Sequence, residues 1–193
     1  VEGNHGAISV SGGVTTINAG TFKVIKDNYK RTDNVTYVSG GQLIINGGTF
    51  EGDSDVASGG CCVCDFAGGA KINGGSFSKS SGGDVWGTTG TTINGGTFDT
   101  LVIGGSLANQ YNAKIGSGVL KTYVGKAETI INGGVFNKPI IAGGVAKGGE
   151  AISNVGEAIL SITNAKVNAD VFTAGMVCYG DTNGSEGANV EKS

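Results

Sequence analysis

His5 is the only histidine in the chain, so mechanisms that need an imidazole to deprotonate a serine or cysteine have a single candidate base, close to the N-terminal end. Carboxylates offer more. Glu51, Asp53 and Asp55 alternate, which in an extended segment puts all three on one face, and Asp99 occupies the place that Glu51 holds just after a phenylalanine, with Asp84 nearby in sequence. Hard cations such as calcium take several oxygens at about 2.3–2.6 Å, which carboxylates and carbonyls supply. The same residues serve equally as a solvated acidic edge. Paired carboxylates about 5–9.5 Å apart would hydrolyse glycosides, but spacing along a chain does not set that distance.

Four cysteines come next: Cys61, Cys62 and Cys64 in one cluster and Cys178 alone. The cluster lacks the paired spacing of a structural zinc site. Cys62 and Cys64, or their alternates, fit a narrow core as small hydrophobes. Trp86, Tyr37, Tyr111 and Tyr123 stand outside any repeat, and an exposed tryptophan or tyrosine ring would stack on a sugar. Trp86 with Glu51, Asp53, Asp55 and Asp99 are therefore the candidate ligand-binding residues, with calcium as the one candidate cofactor.

The frame that must position these residues is a repeat. Ile-Asn-(Gly/Ala)-Gly-(Thr/Ser/Val)-Phe occurs from Ile17, Ile45, Ile72, Ile93 and Ile131, and a worn copy, Ile162-Thr163-Asn164-Ala165-Lys166-Val167, follows. Differences between successive isoleucine positions (45−17, 72−45, 93−72, 131−93, 162−131) are 28, 27, 21, 38 and 31. A unit of about 21 residues thus accepts insertions. Short β-prone runs flank each motif, and no run has a 3.6-residue period.

Isoleucine and phenylalanine five places apart would face opposite ways along one strand, so the glycines between them must turn the chain for both to point inward. Phe22, Phe50, Phe77, Phe98 and Phe136 are then a core stack. Asn18, Asn46, Asn73, Asn94 and Asn132 precede each corner and form a hydrogen-bonded ladder one coil, about 4.8 Å, apart. In the worn copy Asn164 replaces a glycine, and asparagine is the next-best residue for a left-handed corner.

These features predict an all-β chain, a right-handed parallel β-helix of about six coils and about 29 Å in length. Inserted loops are expected at 26–34, 107–119 and 146–150. Residues 1–179 read as one domain and 180–193 as a polar tail or linker. Cys178 falls about three coils, or about 14 Å, from the cluster, beyond the roughly 7 Å that a disulfide allows between Cα atoms. An intermolecular bridge from Cys178 is the alternative.

Composition removes other classes. There are 38 glycines, one proline and 15% charged residues, with 13 Lys+Arg and a net charge of −3, which fits neither collagen nor a nucleic-acid-binding surface. No apolar stretch approaches the roughly 20 residues of a membrane span. The chain opens on Val1 and its one methionine is Met176, which predicts a processed or excised piece of a longer polypeptide. The residues before each motif isoleucine, Thr16, Ile44, Lys71, Thr92, Ile130 and Ser161, are too mixed for a threonine rank that would bind ice.

The Ile-Asn-Gly-Gly-Thr-Phe units, from Ile17 to Val167, resemble those of bacterial secreted and cell-surface β-helix proteins, including carbohydrate-binding and adhesin-like members of the pectate-lyase-like superfamily. The resemblance implies an extracellular or cell-surface setting, with a surface polysaccharide or a neighbouring copy as partner. It carries over no catalytic residue. Lyases of similar fold add a basic residue to calcium-binding carboxylates; Arg31 is the sole arginine here, and Lys23, Lys79 and Lys121 read as solvated charges. The expectation is a non-catalytic structural or adhesive β-helix that self-associates head to tail into a fibre, with a carbohydrate-binding module as the alternative and a polysaccharide lyase or glycoside hydrolase behind it.

Overall fold

The motif residues set where strands stop and start. Ile45 closes the strand Thr36–Ile45 and Thr49 opens Thr49–Glu51. The same break separates Ala70–Ile72 from Ser76–Ser78, Gly90–Ile93 from Thr97–Phe98, and Lys126–Ile131 from Val135–Phe136. The two glycines in each break do different work. At the second, φ is positive, 116° at Gly48, 119° at Gly75, 117° at Gly96 and 113° at Gly134, a conformation that a Cβ opposes. At the first, space is the limit: a Cβ on Gly74 would lie 2.9 Å from the Asn46 carbonyl oxygen, and one on Gly95 2.7 Å from that of Asn73. In the worn copy the positive φ moves one place earlier, onto Asn164 at 52°, the residue type that tolerates it best after glycine.

The computed structural model describes residues 2–3, 6–24, 34–53, 60–65, 67–80, 83–87, 90–100, 102–104, 126–147, 157–179 and 188–192. Among these residues there is no helix. A seven-stranded parallel sheet runs in the order Glu2–Gly3, Thr21–Val24, Thr49–Glu51, Ser76–Ser78, Thr97–Phe98, Val135–Phe136, Lys166–Val167. From Thr21–Val24 onward each strand is the post-corner segment of the next repeat, and Phe22, Phe50, Phe77, Phe98, Phe136 and Val167 share one register.

The second sheet has twelve strands and is strongly curled. Its curl has a visible cause in Thr36–Ile45, one strand that serves two neighbours. Thr36–Val38 pairs with Cys61–Asp65, while Leu43–Ile45, beyond Ser39-Gly40-Gly41, pairs with Ala70–Ile72. From the first series the sheet continues through Gly83–Gly87, Val102–Ile103, Ile140–Lys147 and Val171–Tyr179, and from the second through Gly90–Ile93, Lys126–Ile131 and Glu157–Ile162. Ile8–Ile17 lies parallel to Thr36–Ile45, with register shifts on both sides of Ser11 where it rounds the same corner.

The core lies between these faces. Ile17, Ile45, Ile72, Ile93 and Ile131 are buried with the phenylalanines and with Val63, Val85, Val102 and Ile140. Each phenylalanine so buried stabilises by about 1.5–3 kcal/mol. Consecutive rings stack at 4.8–5.0 Å with interplanar angles of 3–15°.

Two expectations change. Within 180–193, read as a tail, Ala188–Lys192 is a strand antiparallel to Gly175–Tyr179; an exposed strand edge recruits any segment able to pair with it. Val171–Tyr179 lies four strand positions from Cys61–Asp65, about 19 Å at the usual spacing, so Cys178 is farther from the cluster than three coils. Two of the expected loops lie outside the described residues apart from Asn34, and of 146–150 only 146–147 are described, at the end of Ile140–Lys147.

Candidate functional site

The exposed rank at the corners is a continuous amide ladder. Asn46 Nδ2 donates to Asn18 Oδ1 at 2.7 Å, Asn73 to Asn46 at 2.7 Å, Asn94 to Asn73 at 2.7 Å and Asn132 to Asn94 at 3.0 Å. Thr163 Oγ1 then donates to Asn132 Oδ1 at 3.3 Å. Every bond runs the same way, from the later repeat to the earlier. Backbone bonds follow it, as in Asn73 N–H to the Ile45 carbonyl at 2.7 Å.

A second ladder lies one place beyond the phenylalanines. Asn137 Nδ2 donates to Asp99 Oδ1 at 2.7 Å, and Asn168 Nδ2 to Asn137 Oδ1 at 2.7 Å. Its signal in the sequence was the column after each motif, where Asp99, Asn137 and Asn168 follow Phe98, Phe136 and Val167. Asp99 thus serves the stack as an acceptor rather than a ligand set.

The acidic edge does not form as alternation predicts. The strand ends at Glu51, so Asp53 is no longer held on its face, and Asp55 lies outside the described residues. Glu51 Oε2 pairs with Lys79 Nζ at 3.1 Å, and Ser78 stands between Glu51 and Asp99 in register. No group of three His, Cys, Asp or Glu able to hold a metal occurs among the described residues. His5, Arg31 and Lys121 are outside them.

Trp86 also departs from expectation. It is 1% exposed and offers no ring face to a sugar. It stands in register with Tyr37, Cys64 and Ile103, one place along from Val85 of the core, and burying so large a ring outweighs leaving it wet. Tyr37 is half-buried.

Buried chemistry is concentrated in two adjacent strands, Cys61–Asp65 and Gly83–Gly87. Cys62 Sγ lies 2.9 Å from Ser80 Oγ, 3.3 Å from the Phe50 carbonyl, 3.4 Å from that of Ser78 and 3.6 Å from Asp84 Oδ1. Asp84 Oδ2 accepts the N–H groups of Asp99 at 2.7 Å and Thr100 at 2.8 Å, tying down the corner that follows Phe98. Asp65 Oδ2 accepts from Thr91 Oγ1 at 3.2 Å. Asn34 Oδ1 accepts from Cys61 N at 2.9 Å and Cys64 Sγ at 3.0 Å.

Electrostatics here oppose reactivity. Burial pushes the Cys62 thiol well up, and the Asp84 charge adds to this. Cys61 is raised well up by burial and then by Cys64. A thiol so held is little ionised and a poor nucleophile. All three are buried, and none of them forms a disulfide. Burial raises Asp84 as well, against the hydrogen bonds from Thr100 and Asp99 that favour its ionised form. The cluster joins corners of successive repeats and opens onto no surface, since Cys62, Asp65 and Asp84 have no solvent exposure.

Among the described residues the outward ranks are the remaining surface. Thr21, Thr49, Ser76 and Thr97 share one register beside the amide ladder. Thr16, Ile44, Lys71, Thr92, Ile130 and Ser161 share another, mixed in type. No protein-family profile matches the chain, and no curated protein or solved structure matches it either. Function therefore rests on what these residues can do.

Proposed function

We propose that the chain is a right-handed parallel β-helix of about six coils acting as a non-catalytic structural or adhesive element at a bacterial cell surface or outside the cell. The observation that carries this is where the polar chemistry goes: among the described residues, the amide ladders, Asp84, Asp65 and Cys62 join one repeat to the next. Parallel pairing of successive repeats in register supports a helical coil, and parallel crossovers are nearly always right-handed. The likeness of the Ile-Asn-Gly-Gly-Thr-Phe units to bacterial surface β-helix proteins supports the setting, and self-association or a surface polysaccharide supplies the partner.

A carbohydrate-binding role is the second reading, favoured by the hydroxyls of Thr49, Ser76 and Thr97 in one half-exposed rank beside the ladder. One experiment tests both. The purified chain is incubated with a panel of bacterial and plant polysaccharides, reading retention together with new reducing or unsaturated ends. No new ends is the expected result, and retention of one glycan without turnover selects the carbohydrate-binding form. Turnover that survives repurification overturns the non-catalytic reading.

A further inference from the structure

The corner makes two demands that meet in one dipeptide. The ladder needs asparagine at Asn46, Asn73, Asn94 and Asn132, each bonded to the repeats on either side. The turn needs a residue without a Cβ directly after it. A Cβ on Gly47, Gly74, Gly95 or Gly133 would lie 3.0, 2.9, 2.7 or 2.5 Å from the carbonyl oxygen of Asn18, Asn46, Asn73 or Asn94, in that order. Four repeats therefore carry Asn-Gly. The second ladder makes the same bonds without it, since Asn137 is followed by Lys138 and Asn168 by Ala169.

Asn-Gly is the sequence in which an asparagine amide is most readily lost, because no Cβ keeps the glycine nitrogen from the asparagine Cγ. That nitrogen attacks Cγ, the N–Cγ bond forms and the Cγ–Nδ2 bond breaks. Nδ2 leaves as ammonia, taking the proton of the attacking N–H. Water then opens the five-membered imide at either carbonyl, giving aspartate or isoaspartate. All four asparagines are exposed, so water reaches them.

Two restraints oppose the first step in the folded chain. Cγ must swing towards the glycine nitrogen, which pulls Nδ2 and Oδ1 off the neighbouring rungs. The glycine must tilt with it, and at all four corners it is packed against the carbonyl of the preceding repeat. With the main chain held at every corner, the rungs set the order. Asn46 and Asn73 have 2.7 Å bonds on both sides, and Asn94 has one of 2.7 Å and one of 3.0 Å. Asn132 donates at 3.0 Å and accepts from the Thr163 hydroxyl at 3.3 Å, longer than the about 2.5–3.0 Å of a good O–H···O bond.

We propose that Asn46, Asn73, Asn94 and Asn132 are sites of spontaneous deamidation that the ladder keeps closed, and that Asn132, on the longest rungs, is the one that opens while the chain stays folded. The product does not rejoin the ladder. A carboxylate has no N–H to offer Asn94 Oδ1, and isoaspartate routes the main chain through an extra methylene, which moves Gly133 off the Asn94 carbonyl. A chain held unfolded is open at all four corners at once.

The full chain is incubated at mildly alkaline pH, folded and in guanidinium chloride, and each asparagine is followed by peptide mass mapping. Asn183-Gly184, outside the described residues, supplies a fifth clock in denaturant. Unfolded, all five sites should convert at similar rates. Folded, Asn46, Asn73 and Asn94 should slow by at least about tenfold, the factor that two net hydrogen bonds supply, and Asn132 should be the fastest of the four.

Two variants at the exposed Thr163 should move Asn132 in opposite directions and leave Asn46 alone. Thr163→Val removes the donor and should speed it; Thr163→Asn completes an amide rung and should slow it. If either variant fails to fold, the order of the four sites in the wild type decides. Equal rates in the folded and unfolded chain, or an Asn132 no faster than Asn73, would overturn the proposal. So would a faster Asn132 in Thr163→Asn, which would mean that a donor on Oδ1 stabilises the forming oxyanion instead of fixing the amide.

Discussion

The phenylalanine stack of the seven-stranded sheet and the paired strands Cys61–Asp65 and Gly83–Gly87 are both buried, by different routes. In the first, each ring finds its partner in its own copy, phenylalanine on phenylalanine, as the exposed ladder beside it sets asparagine on asparagine. In the second, each polar group has a particular mate, Cys62 with Ser80, Asp84 with two backbone amides, Asp65 with Thr91. Repetition makes a partner automatic. A single buried carboxylate needs a place built for it, since leaving it unpaired is costly.

That contrast can be broken from either side. Phe77→Ala removes a ring stacked on both Phe50 and Phe98 and should cost about 3–5 kcal/mol in urea unfolding. Phe22→Ala, with a ring neighbour at Phe50, should cost visibly less. Equal losses would mean that the stack is not the unit of stability.

Asp84→Ala strands the N–H groups of Asp99 and Thr100, at about 1–3 kcal/mol for each donor left buried. Its pH dependence has a defined sign. The folded-state pKa of Asp84 is raised above its ordinary value of 3.8, so the stability tied to its protonated form is fully present below 3.8 and is lost as pH rises through the folded value. Relative to Asp84→Asn, the wild type should therefore lose stability between acid and neutral pH, measured by urea midpoints across that range. An opposite slope would show that the hydrogen bonds outweigh desolvation.

Asn73→Ala removes one donor and one acceptor from the exposed ladder and should cost about 1 kcal/mol, the net worth of solvent-exposed hydrogen bonds. A double-mutant cycle on Glu51 and Lys79 should return less than about 1 kcal/mol, because that pair is open to solvent.

The same contrast decides what could be read from the residues alone. The corners, the phenylalanine stack and the first ladder follow from a motif repeated at Ile17, Ile45, Ile72, Ile93 and Ile131, because periodic residues must meet. The mates of Asp84 were hidden: the segments after the phenylalanines, Glu51-Gly52-Asp53, Ser78-Lys79-Ser80 and Asp99-Thr100, differ in type, so no column announces that one carboxylate bonds the corner two strands on. Trp86 was misread for a related reason. Outside the motif, nothing in a tryptophan's type says which face of a strand it takes, and register with Cys64 and Tyr37 emerges only once the sheets are paired.

The first glycine of each corner abuts the asparagine carbonyl of the preceding repeat, 2.7 Å from a Cβ at Gly95, and the interval from Asn73 to Asn94 is 21 residues. All that this corner requires of its surroundings is another corner like itself. The corner alone would therefore let a repeat be copied or lost, whereas the Asn73–Asn94 interval is fixed in its place by Ser80 and Asp84, whose mates Cys62 and Asp99 lie in the repeats on either side.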